Sequence, residues 1–187
     1  WYLMRHGQTD YNRRRCFYGS HDVSINERGQ KDAKKLALLM QEHSVDVIYT
    51  SCLKRTQETA QLAFPDRQIK SISDFDERGF GQWEGLTADE IEAAFPEVWQ
   101  AWLEAPFEVT PPEAEVFSAF QTRVWTATDR LLDSAEESMA LVAHLGVLRL
   151  IYQHLVDPKA VFWNIDVPQG RVLLLEERDQ TWQATLL

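Results

Sequence analysis

The sequence predicts an α/β domain, a three-layer α/β/α sandwich with a mostly parallel central sheet and a small helical insertion. Two observations carry that prediction. Short apolar runs alternate with stretches of helical period along most of the chain, and between Leu86 and Glu115 the alternation gives way to helices alone. The 187 residues, 44% of them apolar with seven Trp, suffice for one domain spanning 1–187 with a sizeable core.

Each element has a local justification. Trp1 to Met4 is a short apolar run read as a strand, and a loop through Asn26 follows. GQKDAKKLALLMQEH places Ala33, Leu36, Ala37 and Met40 on one helical face. VDVIYT is a second strand, after which Ser51 is expected to cap the helix SCLKRTQETAQLAF. Beyond IKSISDF the helices of the insertion begin. Thr87 and Glu90 stand at capping-box spacing in LTADEIEAAF, and Pro96 starts PEVWQAWLEA. The proline-marked APFEVTPPEAE closes the insertion at about 86–115. A longer helix then carries Phe117, Phe120, Val124 and Leu131 on one stripe. SMALVA is a strand and GVLRLIYQHLV a helix, while FWNIDV, RVLLLEE and TWQATLL read as strands joined by PQG and RDQ turns.

Composition excludes several functions. A net charge of −10 offers no general field for nucleic acid or anionic lipid, so any bound anion needs a local cationic pocket. Cys16 and Cys52 are in no metal-ligand or disulfide-framework spacing, which points to a reducing cytoplasm. His21, His43 and His154 lack partner spacing and are expected to be structural or exposed, and no metal is expected. No run reaches the roughly 18 apolar residues of a membrane span, and no signal peptide is visible.

In an open parallel sheet, ligands bind beyond the carboxyl ends of the strands. Three expected strand ends carry candidates: Arg5 and His6; Ser51 with Arg55 one helical turn on; and His144. Singly, each reads as an ordinary loop or structural residue. Together, two arginines and two histidines on one rim suit a dianionic phosphate, because guanidinium forks match phosphoryl oxygens and helix N-termini add backbone donors.

These residues also carry a family resemblance. RHGQTDYN resembles the RHGET-type signature of the histidine phosphatase superfamily, also called phosphoglycerate mutase-like. TSCLKRTQETA is similar to its S-x-L-x-R-x-x-x-T-A motif, DERGFGQWEGLTADEI to L-x-E-x-x-F-G-x-W-E-G, and AHLGVLR to S-H-G-G-V-x-R. The resemblance implies that His6 is the nucleophile, forming a phosphohistidine, with Arg5, Arg55 and His144 neutralising the phosphoryl oxygens. It implies Glu77 as general acid and base, over Asp74, Asp76 and Glu84, and makes Asn12, Gly19 and Ser51 substrate-binding positions. No cofactor is implied, and activity in EDTA is expected.

The chain departs from the family pattern in places. Ala143 and Leu145 replace a usual serine and glycine, making the rim near His144 greasier. In PPEAEV both usual glycines are lost but Glu115 is kept, and Arg123 is expected to share its helix face. Arg13, Arg14 and Arg15 read as a solvated loop near the pocket that could steer anions, and Trp83, Trp99 and Trp102 as packing. The compact insertion favours hydrolysis over a mutase, and the complete set of site residues disfavours a non-catalytic phosphate-binding regulator. YNRRRCFYGSHDVSINERG, AHLGVLRLI and FWNIDVPQG are similar to α-ribazole phosphatases, which implies α-ribazole 5′-phosphate as substrate; a broad sugar-phosphate phosphatase is the alternative. The expected partner is a small phosphorylated metabolite, acted on by a monomer or homodimer.

Overall fold

The computed structural model describes all residues, 1–187. In chain order the elements are β1 (Tyr2–Arg5), α1 (Asp10–Arg13), β2 (Cys16–Phe17), α2 (Glu27–Met40), β3 (Val47–Thr50), α3 (Lys54–Ala63) and β4 (Ile69–Ser71). β5 (Leu86–Thr87), α4 (Ala88–Ala94), α5 (Pro96–Glu104), α6 (Phe117–Leu132), β6 (Met139–Ala143), α7 (Leu145–Leu155), β7 (Val172–Arg178) and β8 (Thr181–Leu186) complete it.

A six-stranded sheet runs β4-β3-β6-β1-β7-β8. β4, β3, β6 and β1 are mutually parallel, β7 is antiparallel to β1, and β8 pairs antiparallel with β7. Strand residues alternate between two cores because successive side chains point to opposite faces. Leu3, Val47, Tyr49 and Leu141 face α6 and α7, packing with Phe120, Val124, Leu148 and Ile151. Met4, Ile48, Ala140 and Val142 face α2 and α3, packing with Leu36, Met40, Ala60 and Ala63. The three layers follow from that period of two. Truncating a fully buried leucine such as Leu3 or Leu141 to alanine would cost about 2–5 kcal/mol. A separate cluster under the insertion packs Trp83, Ile91 and Trp102 with Phe17, Phe80 and Trp99.

Four local expectations are corrected. The segment expected as a loop before Asn26 holds α1, started by a capping box between Thr9 and Asn12, and β2, which pairs with β5. FWNIDV forms no strand: Phe162–Asn164 is a 3-10 turn. Arg149 takes the carbonyls of Ile165 and Trp163, while Phe162, Ile165 and Val167 are buried, so the segment is held by packing and by a guanidinium rather than a ladder. Ser51 does not cap α3, whose N-cap is Leu53. Among backbone N–H groups, Ser51 Oγ accepts only that of Leu53, before the helix, while the N–H of Lys54, the first helical residue, goes to Asp22 and that of Cys52 to Asp76. Glu115 precedes α6 rather than lying on it, so it meets Arg123 by folding back over the helix start.

Candidate active site

Strand register brings the two histidines together. Arg5 pairs with Ala143 across the parallel β1–β6 ladder, so the next residues, His6 and His144, emerge side by side with ring centroids 5.3 Å apart. His6 Nδ1 lies 2.7 Å from the Gly7 carbonyl oxygen. Only a protonated Nδ1 can donate to a carbonyl, so the neutral ring keeps its lone pair on Nε2. The turn is pinned as well, with Gly7 N–H on Thr59 Oγ1 and Gln8 N–H on the buried carboxylate of Asp32. Burial, followed by the charges of Arg55 and Arg5, holds His6 well below the usual histidine value of 6.5. The imidazole is therefore neutral, the state a nucleophile requires.

Around it stand donors without protein partners. Arg5 Nε, Arg55 Nε and His144 Nδ1 are buried and make no hydrogen bond. Neither arginine is in an ion pair, and burial lowers the pKa of both, with Tyr18 and Glu77 opposing. Two desolvated cations without a counter-charge favour an anion in the space they face. His144 Nε2 is 2.8 Å from Ser51 Oγ. When the hydroxyl donates to Nε2, the ring carries its proton on Nδ1, available to an oxygen acceptor. Burial and then Arg55 keep this histidine also well below 6.5.

Glu77 lies on the wall of the same cavity. Its Oε1 accepts from Arg78 N–H at 3.0 Å and its Oε2 from Gly146 N–H at 3.1 Å. Glycine at 146 lets the carboxyl stand there, because a Cβ would push the Glu77 carboxylate out of this position. Burial pushes Glu77 above the usual carboxylate value, outweighing the two N–H donors and Arg55. A proton is thereby retained nearer neutrality, as a general acid needs. The alternatives are otherwise engaged. Asp74 meets Arg130 at the surface, Asp76 holds Cys52 N–H, and Glu84 takes the consecutive N–H groups of Gly19, Ser20 and His21.

That Glu84 contact supports Arg55. Carbonyls of the same loop receive the guanidinium, Nη1 on His21 O at 2.9 Å and Nη2 on Gly19 O at 2.8 Å, and Tyr18 lies beneath it with the ring centroid 4.7 Å from Cζ. Glu84→Ala frees the loop, and the inhibition constant for inorganic phosphate is expected to rise roughly tenfold, the equivalent of about 1.4 kcal/mol. An unchanged constant would show that the loop holds Arg55 unaided.

The structure divides the expected substrate-binding positions. Asn12 lines the cavity. Its Oδ1 accepts from Thr9 N–H and Gln169 Nε2, which turns the amide nitrogen toward donation. Gly19 and Ser51 do not line the cavity. Gly19 is packed so closely that a Cβ would overlap the Arg78 carbonyl, and its polar groups are spent on Glu84 and Arg55. Ser51 is fully buried behind His144. Both corrections have one cause: these residues hold the cavity-lining side chains Arg55 and His144 rather than facing the cavity themselves.

The cavity, about 330 Å³, is lined by six aromatic side chains besides Tyr18: Phe17, Phe80, Phe117, Phe120, Phe162 and Trp163. Leu145 joins this wall, as its replacement of a family glycine led one to expect. Two guanidiniums that the sequence analysis missed also face it. Arg78 sits 5.4 Å from the Phe80 and 5.5 Å from the Phe117 ring centroid, and Arg149 sits 5.2 and 5.6 Å from those of Phe162 and Trp163. The spacing of Arg149, three and four residues after Gly146 and Leu145 on α7, was the available signal. Arg78 was hidden in a run of charges. Arg15 also lines the cavity, with Arg13 and Arg14 exposed beside it. The family glycine position at Glu113 keeps a glycine-like backbone, with φ at 61°. No helix is long and apolar enough to cross a membrane, and no group of three or more His, Cys, Asp or Glu is arranged to hold a metal ion.

Comparison with known proteins agrees with this geometry. Residues 1–187 match the histidine phosphatase superfamily (branch 1). The adenosylcobalamin/alpha-ribazole phosphatase of Escherichia coli K12 is 31% identical over 173 residues, covering 90% of this chain and 85% of that protein. Phosphoserine phosphatase 1 of Hydrogenobacter thermophilus is 29% identical over 182 residues, 94% of this chain and 86% of that protein. The crystal structure of the alpha-ribazole phosphatase from Shigella flexneri superposes with a TM-score of 0.91 at 28% identity, covering 100% of this chain and 94% of that one. With the match running over the whole chain and a neutral histidine set among unpaired arginines at the strand ends, the protein belongs to the histidine phosphatase superfamily.

Proposed function

We propose that the protein hydrolyses a phosphomonoester through a phosphohistidine on His6, and that α-ribazole 5′-phosphate is its substrate. His6 Nε2 attacks phosphorus as the P–O bond to the alcohol breaks, and Glu77 gives its proton to the leaving oxygen. Arg5, Arg55, His144 and Asn12 meet the phosphoryl oxygens, where transfer gains most from positioned charge. Water then attacks the phosphohistidine while the Glu77 carboxylate takes its proton. The N–P bond breaks, and neutral His6, protonated Glu77 and inorganic phosphate result. Cationic side chains supply the charge that a metal ion supplies elsewhere, so the reaction proceeds in EDTA.

The observation carrying the substrate assignment is the aromatic part of the cavity lining. Six aromatic side chains suit a flat, weakly polar base better than the hydroxyls of a sugar phosphate. The alpha-ribazole phosphatase names of the E. coli and S. flexneri relatives point the same way. A second reading has its own support. Arg78 and Arg149 are without ion pairs, and a carboxylate on the substrate, as in phosphoserine, would meet them.

A panel of α-ribazole 5′-phosphate, phosphoserine, 3-phosphoglycerate, fructose 2,6-bisphosphate and a nucleotide, compared by kcat/KM with and without EDTA, decides between them. The expected result is a preference for α-ribazole 5′-phosphate of about tenfold or more, the worth of one well-filled aromatic pocket, unchanged by EDTA. Preference for phosphoserine would establish the second reading. Interconversion of phosphoglycerates faster than hydrolysis would overturn the phosphatase assignment.

A further inference from the structure

Arg123 of α6 makes no hydrogen bond to His6, Arg5 or His144 and does not line their cavity, yet its guanidinium is more heavily bonded than any in the active site. Nη1 donates to the carbonyls of Asp74 at 2.8 Å and Asp76 at 2.7 Å, and Nη2 donates to the carbonyl of Glu77 at 3.3 Å. Its Nε and Nη2 also form a bidentate pair with Glu115, both at 2.8 Å. Glu115 grips the same segment from its main chain, with its N–H on the Gly79 carbonyl and its carbonyl taking Arg78 Nε, both at 3.0 Å. Residues 74–79 form no helix or strand beyond a 3-10 turn ending at Phe75, so no ladder fixes them. Their geometry depends on these cross-links.

We infer that Arg123, oriented by Glu115, is a positioning residue that sets where the Glu77 carboxyl stands relative to the leaving oxygen. The assignment rests on the reading of Glu77 as general acid. Glu77 is thus fixed at both ends, its carboxyl by Gly146 and Arg78 N–H groups and its main chain by Arg123. A proton donor displaced by a fraction of an ångström still allows attack by His6 but no longer protonates the departing alkoxide efficiently. The loss should therefore depend on the leaving group. Alkyl alcohols need the proton, whereas p-nitrophenolate leaves without it.

The test measures kcat for a primary alkyl phosphate, α-ribazole 5′-phosphate or AMP, and for p-nitrophenyl phosphate in Arg123→Met, Glu77→Gln and the double variant. Arg123→Met is expected to lower alkyl ester turnover by about 10²-fold while p-nitrophenyl phosphate loses about threefold or less, the pattern of a lost acid. Added to Glu77→Gln, the same change should cost the alkyl ester less than about threefold, because coupled residues are not additive. If Arg123→Met does not fold, Arg123→Lys, which keeps charge but not the fork, carries the same comparison. Equal losses on both esters, while Glu77→Gln discriminates between them, would leave Arg123 a stabiliser of the fold and overturn the inference. Failure of Glu77→Gln itself to discriminate would instead remove the acid assignment on which it rests.

Discussion

His6→Ala is expected to lower turnover by on the order of 10⁴-fold or more, the usual consequence of removing a covalent nucleophile whose partners act as a unit. Rapid quenching of the unaltered enzyme with labelled substrate should trap an acid-labile phosphoenzyme that the variant lacks. The size of the effect follows from the surroundings. Arg5, Arg55 and His144 remain in the variant and still face the cavity, but none of them offers a free nitrogen lone pair to it. His144 cannot substitute, because its Nε2 is committed to Ser51 and its ring sits 5.3 Å from that of His6. The KM should consequently change far less than kcat. Full turnover in His6→Ala, or a phosphoenzyme stable to acid, would show that the phosphoryl group is carried elsewhere.

Glu77→Gln should lower kcat for alkyl phosphates by about 10²–10⁴-fold and leave aryl phosphates much less affected. The pH profile of kcat/KM supplies an independent check, since it reports the ionisations of the free enzyme. His6 must be neutral. Burial and the flanking arginines hold its pKa well below 6.5, so the acid limb, where protonation removes the nucleophile, lies below the ordinary histidine range. Glu77 must be protonated, and burial raises its pKa above 4.5, so activity on alkyl esters falls as pH rises through that raised value. The optimum therefore lies between the lowered His6 value and the raised Glu77 value. Gln cannot ionise, and the alkaline limb should vanish in the variant. A limb that persists unchanged would belong to another group.

Reading the sequence succeeded where chemistry coincides with a periodic element. Leu3 and Leu141 announce strands through their neighbours, and the residues at the ends of those strands, Arg5, His6 and His144, line the cavity. Trp83, Trp99 and Trp102 do form the packing cluster expected of them. Reading failed where a long-range partner decides the outcome. Ser51 looks like a cap because cap residues sit before helices, but His144, 93 residues away, takes its hydroxyl. The apolar run FWNIDV has strand composition, yet Arg149 claims its carbonyls. Arg78 and Arg149 escaped notice because neighbours in sequence do not disclose that both guanidiniums lie against aromatic faces on one cavity. The aromatic lining of the cavity is assembled from segments spread between Phe17 and Trp163, and no local pattern marks that assembly.

The pairing of Arg5 with Ala143 bears on how errors in this protein would be disposed of. A slip of one residue in β1 would misplace His6, but it would also exchange Leu3 and Met4 between the two apolar layers and turn the strand inside out. His6 is therefore held in register by the same packing that keeps the strand in the sheet. A synthesis or register error in this strand yields a molecule that cellular proteolysis can recognise, not a well-folded phosphate binder that would sequester metabolite without turning it over.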